Sequence, residues 1–470
     1  MTPFEDQVVA TLAAHSFFAP ERKIWIARAP GRLDVMGGNV DYTGGMVLQG
    51  LLQEAVWVAA QPRTDDVIRI LNPGAAQYGW AACLELVLNS LNSPASIRLL
   101  CEQTRNAHWC SYVLGSLYFL KNRYVWGGNG GVDLYIASDL PPNKGVSSSA
   151  ALEVATLKAV SSTQGIPLDG IALATAGQWV ENVIVGAACG IMDQAAIVLG
   201  RENNLLPMLC QPCLPAFPLR LPSGIGVWGI DSMASRSTAG IAYETARAAA
   251  FIGYKLICQH ERIEVTPDGI SGIPRFTDSR WSGYLSNLTP SEFRSRYERL
   301  LPESLSGRDF LMSSEHVDPF TTIDLDREYP VRATVRYATE ENLRVQMVST
   351  LLEANTWSGS NSQLNLIGEI LCQSHVAYTE CGLGSEACDE LVARAQRAGF
   401  PGAKMTGGGA GGVVAILGCS DSQSQRAIRT LAEEYGAERG AMPHIFEGSS
   451  NGVDAFGVRT VTLAPRRGQR

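Results

Sequence analysis

The sequence lacks the features that would place it at a membrane or on a nucleic acid. No apolar run reaches the roughly 18 residues that span a bilayer, and Glu5 and Asp6 stand where a signal peptide needs a basic segment. Its 38 basic residues against 46 acidic ones give a net charge of −8, with no basic run except the tail "PRRGQR". We therefore expect a cytoplasmic protein with no membrane partner and no nucleic-acid partner, and the sequence leaves its oligomeric state open.

The cysteine pattern points to neither a disulfide framework nor a zinc site. The 11 cysteines are scattered and odd in number, which favours reduced thiols in the cytoplasm. Cys210 and Cys213 form one C-x-x-C without a second pair, so we interpret them as structural thiols. A chain of 470 residues that is 46% hydrophobic and 18% charged fits a well-packed globular protein of two or three domains.

Hydrophobic patterning predicts an α+β protein in two halves. The predicted elements are strands within 23–58, 67–71 and 224–233 and helices over 109–123 and 240–259. Near the start, Thr2, Pro3 and Glu5 predict a capped helix. We place the domains at 1–222 and 223–470, with an irregular insertion at about 260–340 that is rich in Pro, Ser, Arg and Asp.

Three stretches rich in glycine or serine are candidates for chemistry. "GRLDVMGGNVDYTGG" (31–45) and "KMTGGGAGG" (404–412) are each compatible with a plain turn or with a close approach to a ligand. "NKGVSSSA" (143–150) stands between a predicted strand and a predicted helix, where unpaired N–H groups attract phosphate. Its serines add hydroxyl donors or a Mg²⁺ ligand. It is not a Walker loop, because no Gly-Lys-Ser/Thr closes it.

Two carboxylates and a tyrosine complete the inventory. Glu181 begins the stretch "ENVIVGAACGIMDQ" (181–194), and Asp193 near its end is either a helix cap or a group that accepts a hydroxyl proton or binds a metal. Tyr243, near a predicted helix start, is compatible with a core, cap or ligand-binding role. Phosphoryl transfer needs charge neutralisation, Mg²⁺ and a positioned nucleophile, and these residue types supply all three.

In order and spacing, the three stretches resemble the motifs of the GHMP small-molecule kinases. "CGIMDQ" resembles the galactokinase branch, and "KGVSSSA", "DPFTTID" and "FEGSS" further resemble the kinase half of plant-type L-arabinokinases. The resemblance runs over nearly the whole chain. It implies an N-terminal domain like ribosomal S5 domain 2, a C-terminal ferredoxin-like domain, and an active site in the cleft between them.

The resemblance also implies site residues and cofactors. Arg32 would stabilise the transferring phosphoryl group, and Asp193 would orient or deprotonate the anomeric hydroxyl of a sugar. Ser149 and Glu181 would bind Mg²⁺, and Asp41 and Tyr243 would contact the sugar. The residues implied to bind ATP are Asn143, Lys144, Gly145, Val146, Ser147, Ser148, Ser149, Gly407, Gly408 and Gly409.

One departure from the galactokinase pattern concerns the sugar. Galactokinases carry Glu-His-x-Asp in the first motif, whereas this chain has Gly38, Asn39, Val40 and Asp41. L-Arabinopyranose matches D-galactopyranose around the ring but lacks the hydroxymethyl group at C5. We therefore expect Gly38 and Asn39 to lie where a hexose places that group. Gly38→Glu with Asn39→His should then shift preference toward galactose, provided that the backbone at Gly38 tolerates a side chain.

The resemblance leaves three functions to compare. The first is ATP-dependent phosphorylation of L-arabinose at the anomeric hydroxyl. The second is a kinase for galactose or another sugar of galacto configuration. The third is a non-catalytic sugar sensor, which the intact serine loop, Glu181 and Asp193 disfavour.

Overall fold

The computed structural model describes residues 10–12, 17–124, 130–234, 239–268, 275–353 and 361–464. The predicted helix around Thr2 to Glu5 and the basic tail lie outside the described residues. The strands are β1 (Lys23–Met36), β2 (Met46–Pro62), β3 (Val67–Leu71), β4 (Cys83–Val87), β5 (Val132–Ser138), β6 (Asn204–Leu209), β7 (Leu214–Pro215), β8 (Leu219–Arg220), β9 (Ile225–Asp231), β10 (Thr266–Asp268), β11 (Arg275–Thr277), β12 (Leu305–Ser306), β13 (Glu328–Tyr329), β14 (Gly402–Met405), β15 (Val413–Cys419), β16 (Ile445–Phe446) and β17 (Val458–Thr462).

The helices alternate with these strands. The α-helices are α1 (Pro94–Gln103), α2 (Cys110–Arg123), α3 (Ser148–Thr163), α4 (Gly170–Trp179), α5 (Met192–Leu199), α6 (Ala239–His260), α7 (Pro290–Glu292), α8 (Gly307–Ser313), α9 (Val331–Glu353), α10 (Asn361–Tyr378), α11 (Glu386–Arg397), α12 (Ser422–Arg439) and α13 (Val453–Phe456). Single 3₁₀ turns cover Pro73–Tyr78, Leu88–Ser90 and Leu285–Asn287, and π-helical turns cover Val180–Val185, Phe293–Tyr297 and Thr379–Leu383. The strands predicted within 23–58, 67–71 and 224–233 and the helices predicted at 109–123 and 240–259 are confirmed.

The larger sheet belongs mostly to the N-terminal half. Its strand order is β17-β1-β2-β5-β3-β4, and β6 pairs with the first part of β2. Helix α3 lies against β1 and β2, and its residues from Ala150 to Ser161 are all buried. The last strand, β17, pairs with β1, with Lys23 opposite Thr462. The end of the chain thus completes the sheet of the N-terminal half, a pairing that the proposed division at residue 222 does not include.

The smaller sheet is formed by the C-terminal half. Its order is β14-β15-β9-β16, and every pairing is antiparallel. Numbered along the chain, these strands lie in the order 2-3-1-4, with α11 before the second strand and α12 between the third and fourth. This is the ferredoxin-like arrangement. The α+β prediction is therefore confirmed.

In its described residues, 260–268 and 275–340, the segment consists of short strands, turns and helices up to the start of α9. Its aromatic residues form a hydrophobic cluster with α6 and α9, to which Phe276, Trp281, Phe293 and Tyr297 contribute. Burying these side chains stabilises the segment on the C-terminal half. Over the described part of the chain, every helix is too short or too polar to cross a membrane.

Candidate active site

A cavity of about 390 Å³ lies between the loop that precedes α3 and the glycine loop that follows β14. Ser149 and Gly408 both line it, as do Arg32, Asp193 and Tyr243. The first two come from the second and third glycine- or serine-rich stretches. The structure therefore brings residues from distant parts of the sequence into one site.

Arg32 and Asp193 form a charged pair in the wall of this cavity. Arg32 is 3% exposed, and its Nε and Nη2 lie 2.8 Å and 2.7 Å from Asp193 Oδ1. Its Nη1 donates to the Gly145 carbonyl at 2.7 Å. The other carboxylate oxygen, Oδ2, accepts a hydrogen bond from Ser147 Oγ at 2.5 Å. Both oxygens of Asp193 are thus held in place while its side chain remains 27% exposed to the cavity.

The serine loop is shaped to present backbone N–H groups. Asn143 and Ser147 have φ of 60° and 61°, and Gly145 has φ of 77°. Ser147 precedes the first residue of α3, but its side chain caps no N–H of the helix because it is bonded to Asp193. The N–H groups of the first turn of α3 are left to a ligand. An anion is the ligand that they favour.

The glycines of the third stretch allow this stretch to contact the serine loop. A Cβ on Gly407 would lie 2.7 Å from the Gly145 carbonyl oxygen, and one on Gly412 would lie 2.8 Å from that of Lys144. Both glycines also have positive φ, 77° and 107°. Any other residue would push the two loops apart. These glycines therefore shape the cavity without lining it.

Glu181 and Ser149 place two oxygen atoms side by side in the cavity wall. Ser149 Oγ donates to Glu181 Oε1 at 3.0 Å, and Gln194 Nε2 donates to Glu181 Oε2 at 2.7 Å. Glu181 lies in the π-helical turn that continues α4, a distortion often found at functional sites. Burial and, to a smaller extent, the charge of Asp193 raise the pKa of Glu181 to about 7.

These oxygens fit an incomplete Mg²⁺ site. Mg²⁺ takes one or two protein oxygens and completes its octahedron with phosphates and water. In the part of the chain that the structure describes, no cluster of three or more His, Cys, Asp or Glu side chains is arranged to hold a metal. A hydroxyl and one carboxylate at the start of α3 agree with a cation that a phosphate ligand helps to hold.

Tyr243 lines this cavity, whereas Asp41 lines a separate cavity of about 120 Å³ and not the larger one. Asp41 is 8% exposed, and burial followed by the charge of Asp193 raises its pKa to about 6. Gly190 approaches Asp41 so closely that a Cβ on Gly190 would overlap the carboxylate. The ring of Tyr243 packs edge-on against Tyr42, with centroids 5.8 Å apart. The Asp41 carboxylate is thus close enough to Asp193 to feel its charge, but it does not face the larger cavity in this structure.

The structure does not bring every predicted residue to the cavity wall. Asn143, Gly145, Ser147, Ser148, Ser149 and Gly408 line it, whereas Lys144, Val146, Gly407 and Gly409 do not. Lys144 Nζ instead lies 2.7 Å from Asp231 Oδ2. The carbonyl of Val146 accepts a hydrogen bond from the N–H of Arg32 at 3.1 Å. These four residues therefore support the two loops in this structure, and their contact with ATP stays a prediction.

Gly38 and Asn39 make other contacts in this structure, and their place beside a sugar stays a prediction. Neither lines this cavity. The Gly38 carbonyl accepts from Tyr337 Oη at 2.7 Å, and Asn39, which is 4% exposed, donates from Nδ2 to Tyr378 Oη. The side-chain direction of Gly38 points at Asp34, since a Cβ there would lie 2.3 Å from Asp34 Oδ2. Gly38 thus joins the first stretch to α9, and Asn39, whose Nδ2 also donates to the Gly407 carbonyl at 3.4 Å, joins it to α10 and to the third stretch.

We therefore expect Gly38→Glu with Asn39→His to lower stability and not to shift sugar preference. The new side chain would collide with Asp34, which is fully buried between Gln49 Nε2 at 2.7 Å and Lys404 Nζ at 3.5 Å. It would also bury a second carboxylate there. Thermal unfolding, with Asn39→His alone as the control, should show a Tm loss that comes from Gly38→Glu. A double variant with the parental Tm and improved galactose turnover would contradict this.

An aromatic wall at the far end of the cavity was missed by the sequence reasoning. It is formed by the 3₁₀ turn Pro73–Tyr78 and the start of α2, and its rings are Tyr78, Trp80, His108, Trp109 and Tyr112. Trp80 contacts Tyr78 and His108 with ring centroids 5.2 Å and 5.0 Å away. The short segments "YGW" and "HWCSY" were the available signal. They stand about 30 residues apart, and no periodicity connects them.

Family models match three segments of the chain. The GHMP kinases N terminal domain matches residues 111–201, and the GHMP kinases C terminal domain matches 353–437. The galactokinase galactose-binding signature matches 15–62. The chain belongs to the GHMP kinase family, and the resemblance noted from its motifs is confirmed.

Individual relatives agree with this family. L-arabinokinase of Arabidopsis thaliana is 34% identical over 95% of this chain, and the match covers 47% of that protein. The chain thus spans about half the length of that relative. Lactococcus lactis galactokinase, solved with galactose, superposes with a TM-score of 0.73 at 20% identity, covering 97% of this chain and 100% of the other. Methanococcus jannaschii mevalonate kinase gives 0.54 at 14% identity, covering 90% and 98%. These superpositions confirm the predicted two-domain fold.

Proposed function

We propose that this protein transfers the γ-phosphoryl group of ATP to the anomeric hydroxyl of a monosaccharide, L-arabinose. The observation that carries the proposal is the Arg32–Asp193–Ser147 network, which faces the same cavity as the start of α3. In this network Asp193 can accept a hydroxyl proton, Arg32 supplies a positive charge, and the start of α3 next to them can bind phosphate. Phosphoryl transfer requires these three groups within one site.

The nucleotide would lie along the length of the cavity. The N–H groups at the start of α3 and the hydroxyls of Ser148 and Ser149 would take the phosphates. The wall of Tyr78, Trp80 and Tyr112 would take the base, since aromatic rings offer flat apolar area with few polar demands. The phosphates would then point toward Asp193.

Asp193 would act on the sugar hydroxyl. Because Arg32 and Ser147 bind its two oxygens, the carboxylate cannot rotate away and keeps an accessible oxygen for the hydroxyl. Proton acceptance from a positioned group contributes typically 10²–10⁴-fold to a rate. Arg32 would stabilise the charge on the phosphoryl group as it moves, from a position already fixed by the Gly145 carbonyl.

Ser149 and Glu181 would hold Mg²⁺ together with the nucleotide phosphates. When bound, the ion would neutralise charge on the phosphate oxygens. Gln194 fixes the second oxygen of Glu181 and so aims the first one at the cavity. Beneath it, the fully buried Glu153 has a pKa raised well above its ordinary value by burial and by Glu181. A protonated Glu153 would avoid placing a second charge under the site.

The choice of L-arabinose has two supports. The Arabidopsis relative carries that activity in its name. The first motif has Gly38 and Asn39 where the galactokinase pattern has Glu and His, and neither residue lines the cavity, so these positions supply no partner for the hydroxymethyl group of a hexose. A site that hydrogen-bonds a hydroxyl rejects an analogue without it by on the order of 10⁴-fold, whereas a roomy site rejects little. Galactose is therefore the second candidate, and Asp41 would bind hydroxyls that both sugars share.

Product identification tests this proposal. After incubation with ATP, Mg²⁺ and L-arabinose, phosphorus and proton NMR should show a phosphate on the anomeric carbon. A phosphate on any other carbon would contradict the role of Asp193 toward the anomeric hydroxyl. Sugar binding in calorimetry without turnover would instead support the non-catalytic sensor.

Glu181→Gln is expected to raise the Mg²⁺ concentration that gives half-maximal rate by about tenfold or more. The substitution keeps the shape and removes one of two protein ligands and its charge. Mg²⁺ titration at saturating ATP and sugar measures it. The control is Asp139→Asn. The Asp139 carboxylate accepts a hydrogen bond from the Ala55 N–H at 2.7 Å and lies outside the cavity wall. Gln194→Glu would not serve, because Gln194 contacts Glu181 itself.

The thermal stability of Glu181→Gln, measured with a chelator present to remove Mg²⁺, should depend on pH. Because the pKa of Glu181 is raised from 4.5 to about 7 in the folded protein, its folded form binds the proton more tightly than the unfolded chain does. This contribution to stability is complete below pH 4.5 and is lost as the pH rises through 7. Glutamine cannot ionise. The Tm of Glu181→Gln should therefore exceed the parental Tm at pH 8 and approach it at pH 4.5; an equal difference at both pH values would contradict the assignment.

A further inference from the structure

A buried ion pair connects the 260–340 segment to helix α6. Arg247 of α6 is 4% exposed and Asp318 is 5% exposed. Arg247 Nε and Nη2 lie 2.7 Å and 2.8 Å from the two oxygens of Asp318, a bidentate geometry. Asp318 also accepts from Thr321 Oγ1 at 2.8 Å, and Thr321 Oγ1 lies 2.8 Å from His316 Nε2. Asp318 is thus fixed on its own segment as well as on Arg247.

The remaining contacts of Arg247 reach toward the candidate active site. Its Nη1 donates to the Ala188 carbonyl at 3.0 Å. Its guanidinium lies over the ring of Tyr42, 5.0 Å from the centroid, and over the ring of Phe320 at 5.4 Å. Ala188 belongs to the loop 187–191, which runs from the π-helical turn carrying Glu181 to the start of α5, where Asp193 lies. Arg247 therefore holds the connection between two proposed site residues.

This loop separates two cavities. Ala187 and Asp193 line the larger one, and Gly190 and Ile191 line a second cavity of about 120 Å³. Arg247, Asp318 and Asp41 line the second cavity as well. Because Gly190 lies against the Asp41 carboxylate, any shift of the loop changes the space around Asp41. A second tie, Asn182 Oδ1 to the Cys189 N–H at 3.1 Å, holds the other side of the loop.

Two charged groups and several neutral titratable groups face Asp41, among the latter the phenols of Tyr42 and Tyr243, whose pKa values burial raises well above the ordinary value. Asp193 of α5 and Arg247 of α6 act on its carboxylate, and they raise and lower its pKa respectively. Cys189 of the loop and Cys210 after β6 also face it, and burial keeps both thiols protonated by raising their pKa values. Loss of Arg247 would leave Asp41 facing Asp193 without this opposing charge.

We propose that Arg247, clamped by Asp318, is a positioning residue for the sugar, and that the 260–340 segment serves the site by supplying Asp318. Arg247 fixes the loop 187–191 and the ring of Tyr42 beside Asp41. These contacts hold the Asp41 carboxylate in place, and the charge of Arg247 favours its ionised form, which accepts hydrogen bonds from sugar hydroxyls. This inference rests on the proposed function, since it assigns the sugar to the Asp41 end. Arg247 touches neither reacting group.

A buried Arg247–Asp318 pair would also be seen if its only role were to stabilise the fold. The test must therefore separate an effect on stability from an effect on the position of Asp41. Removing one partner of a buried ion pair is strongly destabilising, whereas replacing both with apolar residues of similar volume is often neutral. We therefore compare Arg247→Met, Asp318→Asn and the double variant Arg247→Met with Asp318→Leu. The matched control is Asp133→Asn, which removes a buried carboxylate that binds Arg63 and Arg69 outside both cavities.

Four measurements are made on each variant. They are Tm, the Kd for L-arabinose by calorimetry, the KM for ATP, and the pH profile of kcat/KM for the sugar. We expect the double variant to recover Tm relative to the single variants while its sugar Kd stays at least tenfold above the parental value. The KM for ATP should stay within twofold, and the acid limb of the profile should move to higher pH. Asp133→Asn should lower Tm without changing the sugar Kd.

Two results would overturn the inference. One is a folded double variant whose sugar Kd lies within twofold of the parental value, and the other is a sugar Kd that follows Tm across all variants, the control included. The proposed function fails separately. If the parental protein binds sugar but does not phosphorylate it, kinase activity is excluded while the comparison of Kd values still decides the role of Arg247.

Discussion

Asp193→Asn is expected to lower kcat by about 10³-fold, with less than a twofold change in the KM for ATP. Asparagine keeps the size of the side chain, yet it cannot accept a proton from the sugar hydroxyl and no longer carries the charge that faces Arg32. Rates at saturating ATP and sugar measure the effect, and thermal unfolding checks that the variant is folded.

The control for Asp193→Asn is Asp139→Asn, which changes a carboxylate next to the serine loop but outside the cavity wall. It should keep the parental kcat within twofold. A kcat for Asp193→Asn within tenfold of the parental value would show that Asp193 accepts no proton in the slow step.

Arg32→Met is expected to lower kcat/KM by roughly 10²–10³-fold, the range seen when a preorganised donor to a developing charge is removed. The variant removes a buried cation whose Nε and Nη2 contact Asp193 and whose Nη1 donates to the Gly145 carbonyl. It also leaves Asp193 without its main partner, so part of the loss should appear in kcat.

Arg32→Lys separates charge from geometry. A lysine keeps the positive charge but cannot reach Asp193 and the Gly145 carbonyl with one planar group. We expect it to recover less than a tenth of the activity lost in Arg32→Met. Recovery to within threefold of the parental kcat/KM would mean that the positive charge alone suffices and that the hydrogen bonds of the guanidinium to Asp193 and Gly145 are not needed.

The sequence predicts the elements of the site better than its internal contacts. A serine loop between a strand and a helix has one common geometry, so the position of Ser147 and Ser149 at the start of α3 followed from local pattern. The pairing of Ser147 with Asp193 did not, because it joins residues 46 apart and depends on how α5 packs. Long-range packing is the part that local pattern does not contain.

Gly38 and β17 illustrate the same limit. A glycine in place of a glutamate suggests vacant space beside a ligand, but here the Asp34 carboxylate fills that space. The pairing of β17 with β1 crosses more than 400 residues and carries no signal in either strand alone. The ion pair of Arg247 and Asp318 lies between an ordinary helix and a segment without periodicity, so its partners are visible only in the structure.

The protein is proposed to phosphorylate a sugar of arabinose type that binds in this cavity. The most direct measurement is ADP release, coupled to NADH oxidation, with ATP and Mg²⁺ and each of L-arabinose, D-galactose, D-glucose, D-xylose and mevalonate in turn. The account predicts the highest kcat/KM with L-arabinose, activity with galactose below it, and none with mevalonate. A higher kcat/KM for galactose than for L-arabinose would contradict the pentose assignment, and ADP release with none of the sugars would contradict the kinase itself.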